Sequence, residues 1–201
     1  MPETRLQLLK TFKGHLLGVT SLAYNPKKAI LATASDDTTW KLWTIPNGEL
    51  LLSGEGHQDW VGGIAFHPKG GFVATASGDG TVKLWDFIKA SCSATFIEHA
   101  QSVWSCDFHY TGDFLLSASM DHTIKLWDTN VKKSKFTYRG HVDSVNSVHF
   151  QPYSSFFCSA SGDKTISLWD VRSNLCIQTF YGHTNALNSV QFNNKVSSEL
   201  N

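Results

Sequence analysis

The sequence lacks a surplus of basic residues, an apolar membrane-length run and a leader-like start. Its 17 Lys and Arg balance 17 Asp and Glu, which leaves a formal net charge of zero with neutral histidines. A domain that binds nucleic acid by neutralising phosphates usually carries a basic surplus, so we expect no nucleic-acid partner. No apolar stretch approaches the roughly 20 residues of a membrane span, and the opening MPETRLQLLK has no signal-peptide core. We therefore expect a soluble cytoplasmic or cytoskeletal protein without a membrane partner.

Cysteine is also scarce, and its spacing excludes several kinds of site. The four cysteines form no CxxC pair and suggest no disulfide framework in a chain of 201 residues: Cys92, Cys106, Cys158 and Cys176. A glycine-rich phosphate loop followed by Lys-Ser or Lys-Thr is absent as well. We expect a reduced intracellular protein with no metal site and no cofactor.

What the sequence does contain is one strict period of 42 residues. Three residue types keep this spacing: His15, His57, His99, His141 and His183; Asp37, Asp79, Asp121 and Asp163; and Trp43, Trp85, Trp127 and Trp169. Three independent residue types in one register indicate a repeat protein.

Each period is built from short strand-like segments. In the second period these are WVGGIAF, FVATAS, TVKLWDF and CSATF, separated by turn sequences such as His-Pro-Lys-Gly and Gly-Asp-Gly. Gly-His pairs open the periods and Trp-Asp pairs follow, as in Gly56-His57 and Trp85-Asp86. On these motifs the chain resembles the WD-repeat family, with Glu98 and Thr44 as small departures. The resemblance implies an all-β propeller whose blades have four strands each.

The repeats predict one propeller domain, residues 1–192, followed by a non-repeat tail, residues 193–201. Four complete blades fall at roughly 13–54, 55–96, 97–138 and 139–180, with a partial fifth at 181–192. A strand like the last strand of a blade precedes them at Leu6–Phe12, and Leu187–Phe192 resembles a first strand. Seven blades would need about 294 residues, so we expect an incomplete ring from a fragment, isoform or truncated product. A closed four-blade ring is the alternative, and an open ring would favour self-association through its edges.

A polar set recurs in each of the four complete periods. It comprises His15, Thr33, Asp37 and Trp43; His57, Thr75, Asp79 and Trp85; His99, Ser117, Asp121 and Trp127; and His141, Ser159, Asp163 and Trp169. A Ser-His-Asp triad is the catalytic interpretation, but catalysis needs one exposed nucleophile rather than four periodic copies. We interpret the sets as structural tetrads in which a hydroxyl accepts the buried indole N–H. We predict no enzyme activity and no catalytic residue, and a direct hydrolase is the rival that a turnover assay would test.

The resemblance implies partner contacts on the narrow face of the propeller. The family's contact positions map onto small, polar and apolar residues of this chain, and none is Lys or Arg. This weighs against recognition of a phosphopeptide, which uses an arginine cluster. Our predicted partner site has Trp60, Trp104 and Met120 as apolar anchors, flanked by Asp36, Asp59 and Asp143, with Asn146 beside them. The alternative is that these side chains fill the central channel or pack between blades.

Three further residues depart from the repeat consensus. Trp40 replaces an aliphatic residue within the third strand of its blade, and we expect it to pack between blades. His67 and His109 occupy one equivalent position after a first strand, where turn residues fit better than metal ligands.

The segments DDTTWKLW and GEGHQDW carry a narrower resemblance, to WD-repeat proteins in the central apparatus of motile cilia and flagella. It implies a non-catalytic scaffold in the cilium or flagellum axoneme, needed for motility, with axonemal central-pair proteins as partners. The alternative function is a substrate-recruiting adaptor of a ubiquitin ligase or another enzyme complex.

Overall fold

The computed structural model describes residues 8–193, which form sixteen β-strands. The strands are β1 (Val19–Tyr24), β2 (Ile30–Ser35), β3 (Trp40–Thr44), β4 (Leu50–Gly54), β5 (Val61–Phe66), β6 (Phe72–Ser77), β7 (Val82–Asp86), β8 (Ser91–Phe96), β9 (Val103–Phe108), β10 (Phe114–Ser119), β11 (Ile124–Asp128), β12 (Lys133–Tyr138), β13 (Val145–Phe150), β14 (Phe156–Ser161), β15 (Ile166–Asp170) and β16 (Leu175–Phe180). The predicted all-β fold is confirmed.

The strands form four sheets of four consecutive antiparallel strands, which we number blades 1 to 4. Each turn between the second and third strands needs one residue with a positive φ, and only blade 2 has glycine there, at Gly80 with φ 78°. Blades 1, 3 and 4 place Thr38, His122 and Lys164 in this left-handed conformation, with φ between 67° and 71°. Such values are uncommon for residues other than glycine, so the turn is held by its surroundings.

The core lies between the blades. Three clusters of buried apolar side chains fill the junctions of blades 1 and 2, 2 and 3, and 3 and 4. The repeat tryptophan of each later blade faces the blade before it, so Trp85, Trp127 and Trp169 each belong to a junction. Each junction therefore buries apolar side chains of two blades, as expected of a repeat architecture.

The two ends of this arc are uncovered. On β1, Val19, Leu22 and Tyr24 are exposed, whereas their equivalents in the other three blades are buried. On β16, Ile177 and Phe180 are also exposed. The described residues thus form an open, incomplete ring with one bare blade face at each end.

The segments that flank the four blades form no strand. Residues 8–12 of the predicted strand Leu6–Phe12 have no strand conformation, and residues 6 and 7 lie outside the described part. The predicted strand Leu187–Phe192 is likewise irregular. The described residues of both segments lack strand conformation for the same reason: the strand that each would pair with is missing from residues 8–193, so no ladder of hydrogen bonds can form.

Trp40 packs between blades, and Gly54 explains why a tryptophan stands there. Phe96 and Tyr138, at the end of a fourth strand, contact the tryptophan of the next blade with ring centroids 4.9 and 5.7 Å apart. Blade 1 has Gly54 at that position, and the Trp40 ring contacts Trp85 instead, at 5.4 Å. A Cβ on Gly54 would lie 2.0 Å from Trp40. In blade 1 the aromatic ring that fills the junction therefore comes from the third strand instead of the fourth.

Residues 8–193 contain no helix that is long and apolar enough to cross a membrane. All four cysteines are free thiols, with Cys106 and Cys158 buried and Cys92 and Cys176 exposed.

Candidate functional site

Each of the four predicted tetrads is brought together in the structure. In blade 2 the Trp85 indole N–H donates to Thr75 Oγ1 at 2.8 Å, and the Thr75 hydroxyl lies 2.7 Å from His57 Nε2. His57 Nδ1 is 2.8 Å from Asp79 Oδ2. The other three blades repeat these contacts with distances between 2.7 and 2.9 Å. The chain of hydrogen bonds joins the third strand to the loop before the first strand.

A threonine that was not among the predicted tetrad residues extends every tetrad. Thr81 donates its hydroxyl to Asp79 Oδ1 at 2.7 Å, and the equivalent residues are Thr39, Thr123 and Thr165. Asp79 Oδ2 also accepts the Gln58 backbone N–H at 3.0 Å. The threonines keep the same 42-residue spacing as the tetrads, so the period itself could have identified them.

The electrostatics of the tetrads fit a structural role. Burial by itself would raise the pKa of Asp79, but the hydrogen bonds from His57, the Gln58 backbone and Thr81 hold that pKa well below its usual range. The pKa values of Asp37, Asp121 and Asp163 are lowered by the same kinds of contact against the opposing effect of burial. The hydroxyl that a catalytic interpretation would use as nucleophile is fully buried at Thr75, Ser117 and Ser159, and it already accepts an indole N–H. A substrate has no access to it.

His67 and His109 join neighbouring blades on the opposite, wide face. His67 Nε2 lies 3.1 Å from the Gly112 carbonyl oxygen, and His109 Nε2 lies 3.1 Å from that of Ser154. Burial lowers the pKa of both imidazoles. A neutral imidazole that donates one N–H to a carbonyl oxygen fits both positions. Within residues 8–193 no group of His, Cys, Asp and Glu side chains could hold a metal ion.

The narrow face contains a pocket of about 710 Å³ at the mouth of the central channel. It is lined by Thr20, Asp36, Trp60, Gly62, Trp104, Asn146 and Asn188. Four predicted partner-site residues therefore meet here: Asp36, Trp60, Trp104 and Asn146. Asp36 is the one charged residue of this lining, so the pocket combines two indoles, neutral polar groups and a single carboxylate.

The two indoles of the pocket stack on each other. The ring centroids of Trp60 and Trp104 are 4.6 Å apart and their planes differ by 27°. Trp60 lies over two glycines, because a Cβ on Gly62 or Gly78 would be 2.6 or 2.5 Å from its ring. The equivalent positions in the other blades carry side chains at one or both places, so only blade 2 can seat this ring.

A relay of hydrogen bonds fixes the orientation of Trp104. Its indole N–H donates to Ser144 Oγ at 3.0 Å, and the Ser144 hydroxyl donates to Asn146 Oδ1 at 2.8 Å. The Asn146 amide donates in turn to the Leu187 carbonyl oxygen at 2.8 Å. Trp104 is nevertheless 37% exposed. A large aromatic ring that is both held and exposed is pre-organised for contact with a partner.

The remaining three predicted partner-site residues lie outside the pocket lining. Asp59 and Asp143 accept the backbone N–H of the following residue, Trp60 or Ser144, at 2.8 and 2.6 Å. Both are exposed, and each lies beside the turn glycine of its own blade. Met120 is exposed at the equivalent turn of blade 3 and is not packed in the channel.

Asp107, on the channel-lining strand β9, was missed by the sequence analysis. Its Oδ2 accepts the Phe150 backbone N–H of the next blade at 2.8 Å. Burial raises the pKa of Asp107 to about 7. The sequence could have identified this residue, because blades 1 and 2 have Ala23 and Ala65 at the equivalent position and blade 3 has a carboxylate there.

The four repeats match a known protein family. The profile of the family described as "WD domain, G-beta repeat" matches residues 6–44, 48–86, 90–128 and 132–170. The flagellar WD repeat-containing protein Pf20 of Chlamydomonas reinhardtii is 58% identical over 53 residues, which is 26% of this chain and 9% of Pf20. Pre-mRNA-processing factor 19 of Homo sapiens is 42% identical over 41 residues, which is 20% of this chain and 8% of that protein. The matched segments thus span less than a tenth of either relative.

Proposed function

Because the chain belongs to the WD-repeat family, we propose that it is a non-catalytic protein-interaction scaffold whose partner site is the narrow-face pocket. The observation that carries this proposal is the stack of Trp60 on Trp104, whose exposed ring is held by the hydrogen bond from its indole N–H to Ser144. Large aromatic side chains held in a concave surface are the usual anchors of protein interfaces. The pocket has no Lys or Arg in its lining, so it suits an apolar or weakly basic segment of a partner rather than a phosphorylated one.

We further propose that this scaffold acts in the axoneme of a motile cilium or flagellum, as a structural component needed for motility. The identity to a flagellar WD repeat-containing protein supports this assignment. The partners in this proposal are axonemal central-pair proteins, and the localisation is cytoskeletal.

The test compares wild-type protein with variants of the full chain in a ciliated cell. Trp104→Ala removes the exposed ring and should cost about 2 kcal/mol or more in partner affinity. The folded structure should change little, because the Trp104 ring contributes to no blade core. Tagged wild-type protein should localise to the axoneme and co-purify with axonemal proteins, and Trp104→Ala should lose both properties.

Val131→Ala is the matched control, since Val131 is an exposed apolar residue of the same blade that lies outside the pocket and outside the predicted partner site. It should keep axonemal localisation. Loss of stability with intact binding in Trp104→Ala would assign the ring to packing and move the partner site elsewhere. Co-purification with ubiquitin-ligase subunits instead of axonemal proteins would favour the adaptor alternative.

Trp60→Ala gives a second, independent readout. The Trp60 ring covers Gly62 and Gly78, so its loss should weaken both folding and binding. Ser144→Ala removes the hydrogen bond that orients Trp104 without removing the ring. It should reduce affinity by less than Trp104→Ala does.

A further inference from the structure

A cleft on the wide face, between blades 1 and 2, differs from the equivalent places at the other two junctions. It has a volume of about 210 Å³ and is lined by Asn25, Lys27, Lys28, Lys69, Gly70, Gly71, Phe87 and Ile88. It lies at the opposite end of the blades from the tryptophan pair, and it goes beyond the function proposed above.

The cleft exists because Asn25 replaces a histidine. At the junction of blades 2 and 3, the His67 ring fills the space over Gly112, where an added Cβ would lie 2.3 Å from the ring. Gly70 is the equivalent glycine of blade 2, and a Cβ added there would have no atom within 4 Å. The shorter Asn25 side chain leaves this space open.

Asn25 also leaves a hydrogen-bond donor without a partner. The residue is 1% exposed, and its Nδ2 is buried with no hydrogen-bond partner. Its Oδ1 accepts the backbone N–H groups of Lys27 and Lys28 at 2.8 and 2.9 Å, which fixes the orientation of the amide. A buried donor without an acceptor is energetically unfavourable, so the Asn25 amide calls for a water, an ion or a ligand group.

The charge around the cleft is positive. Lys27 and Lys28 are exposed and form no ion pair within residues 8–193. Lys69 is partly neutralised by Asp113, whose carboxylate is 3.9 Å away. Lys27, Lys28 and Asn25, with its unsatisfied amide donor, therefore line one opening whose other wall is Phe87 and Ile88.

We propose that this cleft binds a carboxylate side chain of an acidic protein segment, with an apolar neighbour of that residue packing on Ile88. The carboxylate would accept hydrogen bonds from Asn25 and charge-assisted ones from Lys27 and Lys28. Arginine, which forms two-pronged contacts with carboxylate and phosphate alike, is absent from the lining, so a phosphoserine probe is needed to separate the two anions.

The experiment measures fluorescence polarisation of labelled peptides with the full 201-residue chain. The probes are a peptide of alternating Glu and Leu, the same peptide with Gln in place of Glu, and one with a single phosphoserine among Gln and Leu. We expect the Glu peptide to bind, the Gln peptide to bind at least about tenfold more weakly, and binding to weaken as salt is raised.

Two variants remove the site in different ways. Asn25→His should fill the cleft and donate to the Gly70 carbonyl oxygen, as His67 does to Gly112, so the fold is kept and binding of the Glu peptide is lost. Lys27→Gln/Lys28→Gln should weaken binding by about fivefold or more. The matched control Lys13→Gln/Lys164→Gln removes the same charge from narrow-face loops and should bind like wild type.

Three outcomes would overturn the proposal. Equal losses in the control would show unspecific attraction by net charge, and full binding by Asn25→His would place the peptide outside the cleft. Tighter binding of the phosphoserine peptide, abolished by Asn25→His, would assign the cleft to phosphate instead. Trp104→Ala should leave binding of the Glu peptide unchanged, so the test is independent of the narrow-face pocket.

Discussion

The innermost strands of blade 1 and blade 4 carry equivalent aromatic residues in opposite environments. Tyr24 on β1 is 60% exposed, whereas Phe150 on β13 is 3% exposed. Their sequence contexts are alike, and each lies in an intact four-stranded sheet. The difference is that blade 3 covers one face of blade 4, and no blade of the described chain covers that face of blade 1. The unit of stability is therefore the junction between two blades rather than the blade itself.

The largest effect should come from truncating one of this pair. Phe150→Ala leaves a cavity in a filled junction and should lower the free energy of unfolding by about 3–5 kcal/mol. Tyr24→Ala, the matched control, should change it by about 0.5 kcal/mol or less. Urea denaturation of both variants at low protein concentration measures the difference. Similar losses in the two variants would mean that the bare face of blade 1 is covered in solution, for example by self-association. In that case, diluting the protein should make the loss caused by Tyr24→Ala smaller than the loss caused by Phe150→Ala.

Trp40 and Gly54 allow a sharper comparison between junctions. Trp40→Val restores the aliphatic residue of the other blades but leaves a space in the junction. Gly54→Phe places a phenyl ring where the Trp40 ring already lies, so the two side chains clash. Each single change should cost about 2–3 kcal/mol. The double variant Trp40→Val/Gly54→Phe rebuilds the arrangement of Phe96 with Trp127 and should recover most of that loss. A thermodynamic cycle measures the coupling, and additive losses would show that the two positions are independent.

The repeat histidines His141 and His183 allow a comparison of one residue type with and without a tetrad. His141 belongs to a complete tetrad, while the repeat that begins at His183 has no tetrad partners in this sequence. His141→Ala leaves buried groups without partners and should cost about 1–3 kcal/mol. His183→Ala should cost almost nothing because His183 is exposed. Thermal denaturation of both variants measures this, and equal small effects would argue against a stabilising tetrad.

The fold could be predicted from the sequence because the 42-residue period determines the positions of the strands, the turns and the tetrad residues at the same time. Repeated His, Asp and Trp placed the strands and turns, and the hydrogen bonds of the tetrads follow from those positions. The described residues of Leu6–Phe12 and Leu187–Phe192 form no strand although the period places one there. A strand needs a hydrogen-bonded neighbour, and a local sequence pattern does not supply one.

The candidate sites were less predictable because they arise where the repeats differ. The sequence placed Trp60 and Trp104 on one face, but their stacking depends on the absence of side chains at Gly62 and Gly78. The cleft at Asn25 depends on a ring that is missing relative to His67. Both features depend on how far apart neighbouring blades lie, and the spacing of residues along the chain does not specify that distance.

The smallest effect concerns Asp107, whose carboxylate joins two blades at the channel wall. Burial raises the pKa of Asp107 to about 7, above the value near 4 that an unfolded chain gives it. Between these values the unfolded state releases a proton that the folded state keeps, so this residue's contribution to stability is present below pH 4 and lost as the pH rises through 7. Asp107→Asn keeps an oxygen that can accept the Phe150 N–H and removes the titration. Its stability relative to wild type should therefore rise by about 1 kcal/mol from pH 4 to pH 8, less than the full shift would give because water in the channel screens the charge. Urea midpoints at several pH values measure this, and a pH-independent difference would show that the pKa of Asp107 is the same in the folded and the unfolded chain.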